Sequence, residues 1–167
     1  MSGNTGYAGM RRRARQCALQ ILYQLDINRQ LRAPDEPASH AGESLERTLQ
    51  EFWSSFEHIS EADRTFSERL ARGVVREQLA VDAAIEAVSS NWRLARMEVV
   101  DRNLLRLATY EILWCPDIPR AASINEALEL AKRFHSRDAA AFINGVLDRL
   151  GDQPPTHADD ETGSTSG

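Results

Sequence analysis

Four arginines stand close together near the start of the chain, where they could bind phosphate. They are Arg11, Arg12, Arg13 and Arg15, and they precede an apolar run with helical spacing in a chain whose formal net charge is −5. A cation at a helix N-terminus opposes the helix dipole and costs on the order of 0.3–1 kcal/mol. We therefore predict that an external anion such as phosphate, which guanidinium groups bind in bidentate geometry, offsets this cost. The alternative is a solvated helix start that binds nothing.

Aromatic side chains could add sequence selectivity to such a phosphate site. Basic charge alone gives affinity for any RNA, whereas selective binding needs aromatic faces on which unpaired bases stack. Tyr23 on the first predicted helix and Phe142 on the last are candidates, and Asp138 shares a helix face with Phe142 because it lies four residues earlier. The competing interpretation makes Phe142 peripheral core and Asp138 a stabiliser of the helix dipole.

The sequence shows none of the common arrangements for catalysis or for cofactor or metal binding. The four histidines are scattered, without the i, i+4 spacing of a helical metal pair. Gly73 and Gly145 are isolated within helical patterns, which indicates close helix packing rather than a phosphate loop. Cys17 and Cys115 lie in apolar patterns and are predicted to be buried free thiols. We predict that the protein is not an enzyme, with no cofactor and no metal.

The elements that must position these residues are all helical. Apolar residues recur with helical periodicity, and no sustained alternation calls for strands, so we predict an all-α fold of about seven helices in one compact domain. The predicted segments are about 10–29, 43–58, 62–78, 80–90, 98–114, a sixth that begins at Ser123, and 137–150.

Two local signals mark the ends of the fifth and sixth helices. The fifth is apolar around most of its circumference, which predicts a central position, and Pro116 and Pro119 end it. Ser123 and Glu126 have the Ser-x-x-Glu spacing of a capping box, which predicts a helix start at Ser123.

Three stretches have compositions that are typical of irregular chain. We predict a disordered extension over residues 1–9, a proline-containing loop over 31–42 and a disordered acidic tail over 152–167, which leaves a single domain at 10–151. No apolar stretch approaches the roughly 20 residues needed to span a bilayer, and the start lacks a secretory signal. We expect a soluble, cytoplasmic protein that does not bind membranes.

Four motifs in this order resemble the NusB family of bacterial transcription antitermination factors. They are RRRARQCALQILYQLD at 11–26, VDRNLLRLATYEI at 100–112, SINEALELAKRF at 123–134 and FINGVLDRL at 142–150. Each alone could be an ordinary amphipathic helix, but their order makes a specific signature that covers about 10–150.

The resemblance implies a fold of two packed helical subdomains and a non-catalytic function. The implied activity is binding of boxA RNA in nascent ribosomal RNA transcripts, together with the small-subunit ribosomal protein NusE. These components would join RNA polymerase and other Nus factors in a complex that resists premature termination. The family also includes both monomers and homodimers, so a homodimer is possible.

The resemblance also assigns roles to the residues of this chain that match functional positions in the family's motifs. The resemblance implies that Arg11, Arg12, Arg13 and Arg15 contact RNA. It places Phe134, Asp138 and Phe142 near the RNA surface and Asp101 at the interface with the ribosomal protein. Two other functions stay open at this point, namely a helical dimerisation module without RNA and the RNA-binding part of a split ribosomal RNA methyltransferase.

Overall fold

The predicted all-α fold is confirmed. The computed structural model describes residues 5–32, 38–56, 58–89, 91–152 and 154, and within these ranges it contains seven α-helices, one short 3-10 helix and no strand. The helices are α1 (Thr5–Ile27), α2 (Ala38–Ser54), α3 (Glu61–Arg76), α4 (Gln78–Val88), α5 (Val99–Trp114), α6 (Arg120–Phe134) and α7 (Arg137–Asp148), and the 3-10 helix is Leu94–Arg96. Among the described residues, no helix combines the length and apolarity needed to cross a membrane.

The helix α5 occupies the centre of the fold, as its apolar circumference predicts. Every side chain from residue 103 to residue 111 is buried, and α5 packs against α1, α3, α4, α6 and α7. The helices α1, α2 and α3 form one packed group, α6 and α7 pack on each other and on α5, and α4 packs on α5 and α3. Because so many helices contact α5, its position sets the relative positions of the surfaces around it.

A partly buried ionic network fixes α1 and α4 to α5. The Asp26 carboxylate on α1 accepts hydrogen bonds from Arg102 Nε at 2.6 Å, Asn103 Nδ2 at 2.8 Å and Arg106 Nη1 at 3.0 Å. Arg106 Nε also donates to Asp82 of α4 at 2.8 Å. Burial raises the pKa of Asp26, but the hydrogen bonds from Arg102 and Asn103, together with the positive charges of Arg106 and Arg102, lower it below its ordinary value.

The helix α1 begins earlier and ends earlier than the sequence predicts. It starts at Thr5 instead of about Met10, so residues 5–9 of the predicted disordered extension are helical, and residues 1–4 lie outside the described residues. It ends at Ile27 because Arg29 adopts the left-handed conformation with φ of 55°, while the Gln30 N–H donates to the Leu25 carbonyl at 2.8 Å.

The predicted loop and tail coincide only partly with the described chain. The helix α2 begins at Ala38, inside the loop predicted at 31–42, and residues 33–37 lie outside the described residues. This helix ends at Ser54, four residues before the predicted end. The predicted acidic tail lies outside the described residues except for Asp152 and Pro154.

The predicted capping box is wrong. The helix α6 starts at Arg120, one turn before Ser123, and the Ala122 and Ser123 N–H groups donate to the Pro119 carbonyl. Ser123 and Glu126 are therefore interior helical residues, and both are buried. Their side chains turn away from the helix backbone because each binds a group on another helix.

The two isolated helical glycines have different surroundings. A Cβ added at Gly73 would overlap the ring of Tyr110, so the prediction of close helix packing is confirmed there. A Cβ added at Gly145 would meet nothing within 4 Å, so the same prediction is wrong for Gly145.

Candidate nucleic-acid interface

The arginine cluster does not lie at the N-terminus of a helix. Arg11 is six residues after Thr5, the first residue of α1, so the cluster occupies the interior of a 23-residue helix. The dipole effect falls off within the first turn, and the predicted electrostatic penalty therefore does not apply. Whether these arginines need an external anion depends on what surrounds them.

Arg15 is a structural residue. Only 3% of it is exposed, and its guanidinium donates to Glu111 of α5, through Nη2 at 2.6 Å and through Nε at 3.0 Å. Ser123 Oγ of α6 donates to the same carboxylate at 3.0 Å. The prediction that Arg15 contacts RNA is therefore withdrawn, because the enclosed guanidinium already has an anion inside the fold.

Arg12 has an internal anion as well, but it remains accessible. Its Nε donates to Glu126 Oε2 at 2.8 Å and its Nη2 donates to Glu126 Oε1 at 3.0 Å, a bidentate pair that joins α1 to α6. The hydrogen bond with Glu126 raises the pKa of Arg12. The Arg12 side chain is 45% exposed, so a phosphate could still reach it.

The remaining two arginines lie against aromatic rings. Arg13 is exposed, donates from Nη2 to the His58 carbonyl at 2.6 Å and stands 5.6 Å from the Phe56 ring centroid. Arg11 is half-buried and stands 4.8 Å from the Phe66 centroid. Burial, and then the neighbouring charge of Arg15, lower the pKa of Arg11. These contacts orient Arg13 beside the α2–α3 connection and Arg11 beside α3.

Tyr23 adds an exposed aromatic ring to the side of α1 that carries the accessible Arg12. It lies eleven residues after Arg12, a spacing that brings two residues to nearly the same side of an α-helix. Tyr23 is 38% exposed, and Gln16 on the same side is half-buried. One side of α1 thus presents cationic, amide and aromatic groups in succession.

A second region lies around the start of α7. Ser136 caps this helix by accepting a hydrogen bond from the Ala139 N–H, and Asp138 is exposed in its first turn. Phe134 is exposed, with the Arg133 guanidinium 5.7 Å from its ring centroid, and Phe142 is half-buried. Two of the three predicted side chains here are open to solvent.

Two residues of this region were missed by sequence reasoning. Trp92 is 54% exposed, and its ring centroid lies 6.3 Å from that of Phe142 in an edge-to-face arrangement. His135 lies beside Asp101, with Nδ1 of His135 2.9 Å from Oδ1 of Asp101. The signal for Trp92 was a tryptophan between polar neighbours outside any apolar pattern. Nothing in the spacing could have paired His135 with Asp101.

Asp101, the predicted contact with the ribosomal protein, has little free surface. It is 7% exposed, and its carboxylate is hydrogen-bonded to the half-exposed His135. The hydrogen bond and the negative charge of Asp101 raise the pKa of His135. At this corner the group that faces solvent is therefore His135, held in place by Asp101.

The predicted site residues thus fall into two sets with different contacts. Arg12 and Arg13 contact α6 and the α2–α3 connection, whereas Phe142 contacts Trp92. In the described part of the chain, no group of three His, Cys, Asp or Glu side chains could hold a metal. Cys17 and Cys115 are buried free thiols, and burial raises the pKa of Cys17 to about 11.

Comparison with known proteins gives a consistent result. The model of the NusB family matches residues 12–152. The transcription antitermination protein NusB of Anaeromyxobacter dehalogenans is 47% identical over 140 residues, which cover 84% of this chain and 89% of that protein. The NusB of Desulforapulum autotrophicum is 45% identical over 143 residues, which cover 85% and 91% of the two chains.

Solved structures show the same fold. T. maritima NusB superposes with a TM-score of 0.65 at 36% identity, covering 83% of this chain and 88% of that one. A second similar structure contains the antitermination factors NusB and NusE in complex with double-stranded RNA; its matching chain has a TM-score of 0.64 at 24% identity and covers 83% and 93% of the two chains. This second likeness concerns the fold alone.

Proposed function

The chain belongs to the NusB family of transcription antitermination factors, and from this premise we propose that it acts by binding boxA RNA of nascent ribosomal RNA transcripts together with NusE. Family membership makes it a transcription antitermination factor and not an enzyme. We further propose that residues 10–151 form the RNA-binding domain, a segment close to the 12–152 matched by the family model.

The observation that carries the RNA proposal is the exposed side of α1. Arg12 and Tyr23 share that side, and Arg13 is exposed beside them, so charge and an aromatic face lie along one helix. Guanidinium groups bind phosphate oxygens, and tyrosine rings stack on unpaired bases. Phe134, Asp138 and Phe142 remain proposed members of the RNA surface. Arg11 is a proposed phosphate contact as well.

We place the NusE contact at the corner formed by His135 and Asp101. Asp101 supplies the negative charge that orients His135, and His135 is the exposed group that a partner would touch. A protein with this fold has been solved with NusE and RNA, so the fold can carry both partners. In this proposal the protein and NusE, bound to each other, join RNA polymerase and other Nus factors in the cytoplasm.

The proposal is tested by fluorescence anisotropy of a labelled boxA RNA titrated with this protein, alone and with NusE. A scrambled RNA of the same composition is the matched control. We expect tighter binding to boxA than to the scrambled RNA, and a further gain when NusE is present. Equal affinity for both RNAs, with and without NusE, would overturn selective recognition.

Arginine variants separate RNA binding from self-association. Alanine substitution of Arg11, Arg12 and Arg13 is expected to weaken RNA binding and to leave the sedimentation behaviour unchanged. The unmodified protein, as a monomer or a homodimer, is the reference for oligomeric state. If the variants retain RNA binding but change their oligomeric state, the alternative function as a helical dimerisation module is favoured.

A further inference from the structure

An open cleft lies between α7 and the residues that follow α4. Its volume is about 280 Å³, and its lining includes Asn91, Trp92, Phe142, Gly145 and Arg149. The backbone N–H of Trp92 donates to the Ser89 carbonyl at 3.0 Å, and Ser89 Oγ donates to the Trp92 backbone carbonyl at 3.0 Å. These two hydrogen bonds hold the backbone of Trp92, so the exposed indole is presented from a fixed position.

The floor of the cleft is open at Gly145. This residue lies in the interior of α7, where glycine is less favourable than alanine because it gains more freedom on unfolding. Neither usual reason for a helical glycine applies here. A Cβ would meet nothing within 4 Å, so no neighbouring element demands its absence, and its backbone does not require a positive φ. The missing side chain instead leaves space beside the Trp92 and Phe142 rings.

Polar groups line the rim of this aromatic cleft. Asn91 is exposed and carries both hydrogen-bond donors and an acceptor. Arg149 is exposed, and among the described residues its side chain makes one hydrogen bond, a long one of 3.4 Å from Nη1 to the Val88 carbonyl. Its guanidinium can therefore turn toward a ligand at little cost.

We propose that this cleft binds one unpaired RNA base, a site that rests on the proposed RNA-binding function and deepens it. The base stacks against the Trp92 indole over Gly145, Asn91 hydrogen-bonds its edge, and Arg149 contacts the adjoining phosphate. Aromatic faces combined with adjacent arginine and amide groups are the usual components of single-stranded RNA sites.

Size and polarity favour a base over other occupants. The cleft volume of about 280 Å³ is just below the roughly 300–1,000 Å³ that is typical of small-molecule sites, which suits one planar ring with its sugar. An apolar side chain from a protein partner would cover Asn91 and Arg149 without satisfying their hydrogen bonds, which is unfavourable. A nucleotide offers both a stacking face and partners for these groups.

Two variants test the cleft by different means. Trp92→Ala removes the stacking face, and Gly145→Leu fills the floor while improving the helix propensity of α7. Both are expected to weaken binding of labelled single-stranded boxA RNA about 5-fold to 150-fold, the range measured for loss of one base–aromatic stack. Trp92→Tyr, which keeps an aromatic face, is expected to restore most of the affinity. Ala121→Leu, an added leucine at an exposed position of α6, is the matched control and should bind as the unmodified protein does.

Abasic substitution identifies the base itself. Each boxA nucleotide is replaced in turn by an abasic one, and each RNA is titrated against the unmodified protein and against Trp92→Ala. One position is expected to lose affinity with the unmodified protein and to show no further loss with the variant, because the same contact is removed twice.

The outcomes distinguish this inference from the proposed function. If the arginine variants lose boxA RNA while Trp92→Ala and Gly145→Leu bind it normally, the base site in the cleft is refuted and the proposed RNA-binding function is retained. If the unmodified protein binds no RNA, the base site and the proposed RNA-binding function are both refuted. Loss of NusE binding with unchanged RNA affinity in the two cleft variants would show a protein-docking site and overturn the base assignment. Circular dichroism and thermal melts of each variant confirm that the fold is retained.

Discussion

Arg15 and Glu111 form the most enclosed of the described ion pairs. Their side chains are 4% and 1% exposed, and the pair links α1 to α5, with Ser123 of α6 donating to the same carboxylate. Removing one member of a buried pair leaves an uncompensated charge in a medium that solvates it poorly. This ion pair stabilises the fold, although Arg15 is part of the arginine cluster that first suggested RNA binding.

We predict that Arg15→Met lowers the free energy of unfolding by about 3–5 kcal/mol, because Glu111 is left buried and unpaired. The double variant Arg15→Met with Glu111→Leu should be more stable than Arg15→Met alone. Urea denaturation followed by circular dichroism measures both. A loss below about 1 kcal/mol for Arg15→Met would contradict burial of the pair.

In the proposed RNA site, Glu126 would compete with a phosphate group for Arg12. Its carboxylate holds both donors on one edge of the guanidinium, and a phosphate that binds the same edge must displace it. We predict that Glu126→Ala tightens RNA binding by up to roughly fivefold, the equivalent of one partly exposed ion pair. The control is Glu129→Ala, which removes the same charge from α6. Glu129 pairs with Lys132 at 3.5 Å and acts on Arg12 through its charge alone, whereas Glu126 holds Arg12 by two hydrogen bonds. Equal gains from the two variants would mean that overall charge, and not release of Arg12, controls affinity.

His135 makes stability depend on pH in a defined direction. Its pKa is raised by Asp101, so the folded state holds the proton more tightly than the unfolded state does. The stabilisation is fully present below the unfolded pKa of about 6.5 and is lost as the pH rises through the higher folded pKa. We predict that the free energy of unfolding falls as the pH rises from about 6.5 through the higher folded pKa, and that His135→Gln removes this component. Chemical denaturation at several pH values measures it, and an identical pH profile for both proteins would refute the assignment.

At the scale of elements, periodicity predicts which segments are helical better than it predicts where they begin. The existence and central position of α5 follow from its apolar circumference, and the structure confirms both. The start of α6 was misjudged because Ser123 and Glu126 have a local capping pattern, whereas their actual partners lie on α5 and α1. A local rule cannot detect partners that are distant in the sequence.

The same limit applies to the candidate site. The sequence indicates that the arginines bind anions, and Arg15 and Arg12 do, but their anions are Glu111 and Glu126 of the protein itself. Arg15 and Arg12 have the same residue type and neighbouring positions, yet helical rotation turns one inward and leaves the other accessible. Their roles could be separated only once the start of α1 and the position of α5 were known.

The two helical glycines allow a matched comparison between elements. Gly73→Ala on α3 drives a methyl group into the Tyr110 ring of α5, and overpacking of this kind costs about 1–3 kcal/mol. Gly145→Ala on α7 adds the same methyl group to open space and should raise the free energy of unfolding by about 0.5–1 kcal/mol. Thermal and urea unfolding of both variants check the opposite signs. Destabilisation by Gly145→Ala would contradict an open floor at that position.

At the scale of the whole molecule, the fold places the two proposed recognition regions on one set of packed helices. The side of α1 with Arg12 is joined to α6 by Glu126, and α6 leads directly to His135 and the start of α7. Because NusE would bind at that corner while RNA binds nearby, each partner raises the effective concentration of the other at the complex. A modest RNA affinity then becomes sufficient once the ribosomal protein is present.

The salt dependence of RNA binding reports how many arginines act together on these helices. For single-stranded RNA, log K falls with log salt by about 0.7 for each phosphate neutralised. Of the four arginines on α1, Arg15 is enclosed with Glu111, so Arg11, Arg12 and Arg13 give a slope of about −2. Arg149 of the proposed cleft adds a fourth phosphate contact, so we predict a slope near −3 for boxA RNA by anisotropy over a series of salt concentrations, and a slope shallower by about 0.7 for Arg13→Ala. A slope near −2 would show that Arg149 makes no phosphate contact, and binding that is independent of salt would remove the basis for phosphate contacts along α1.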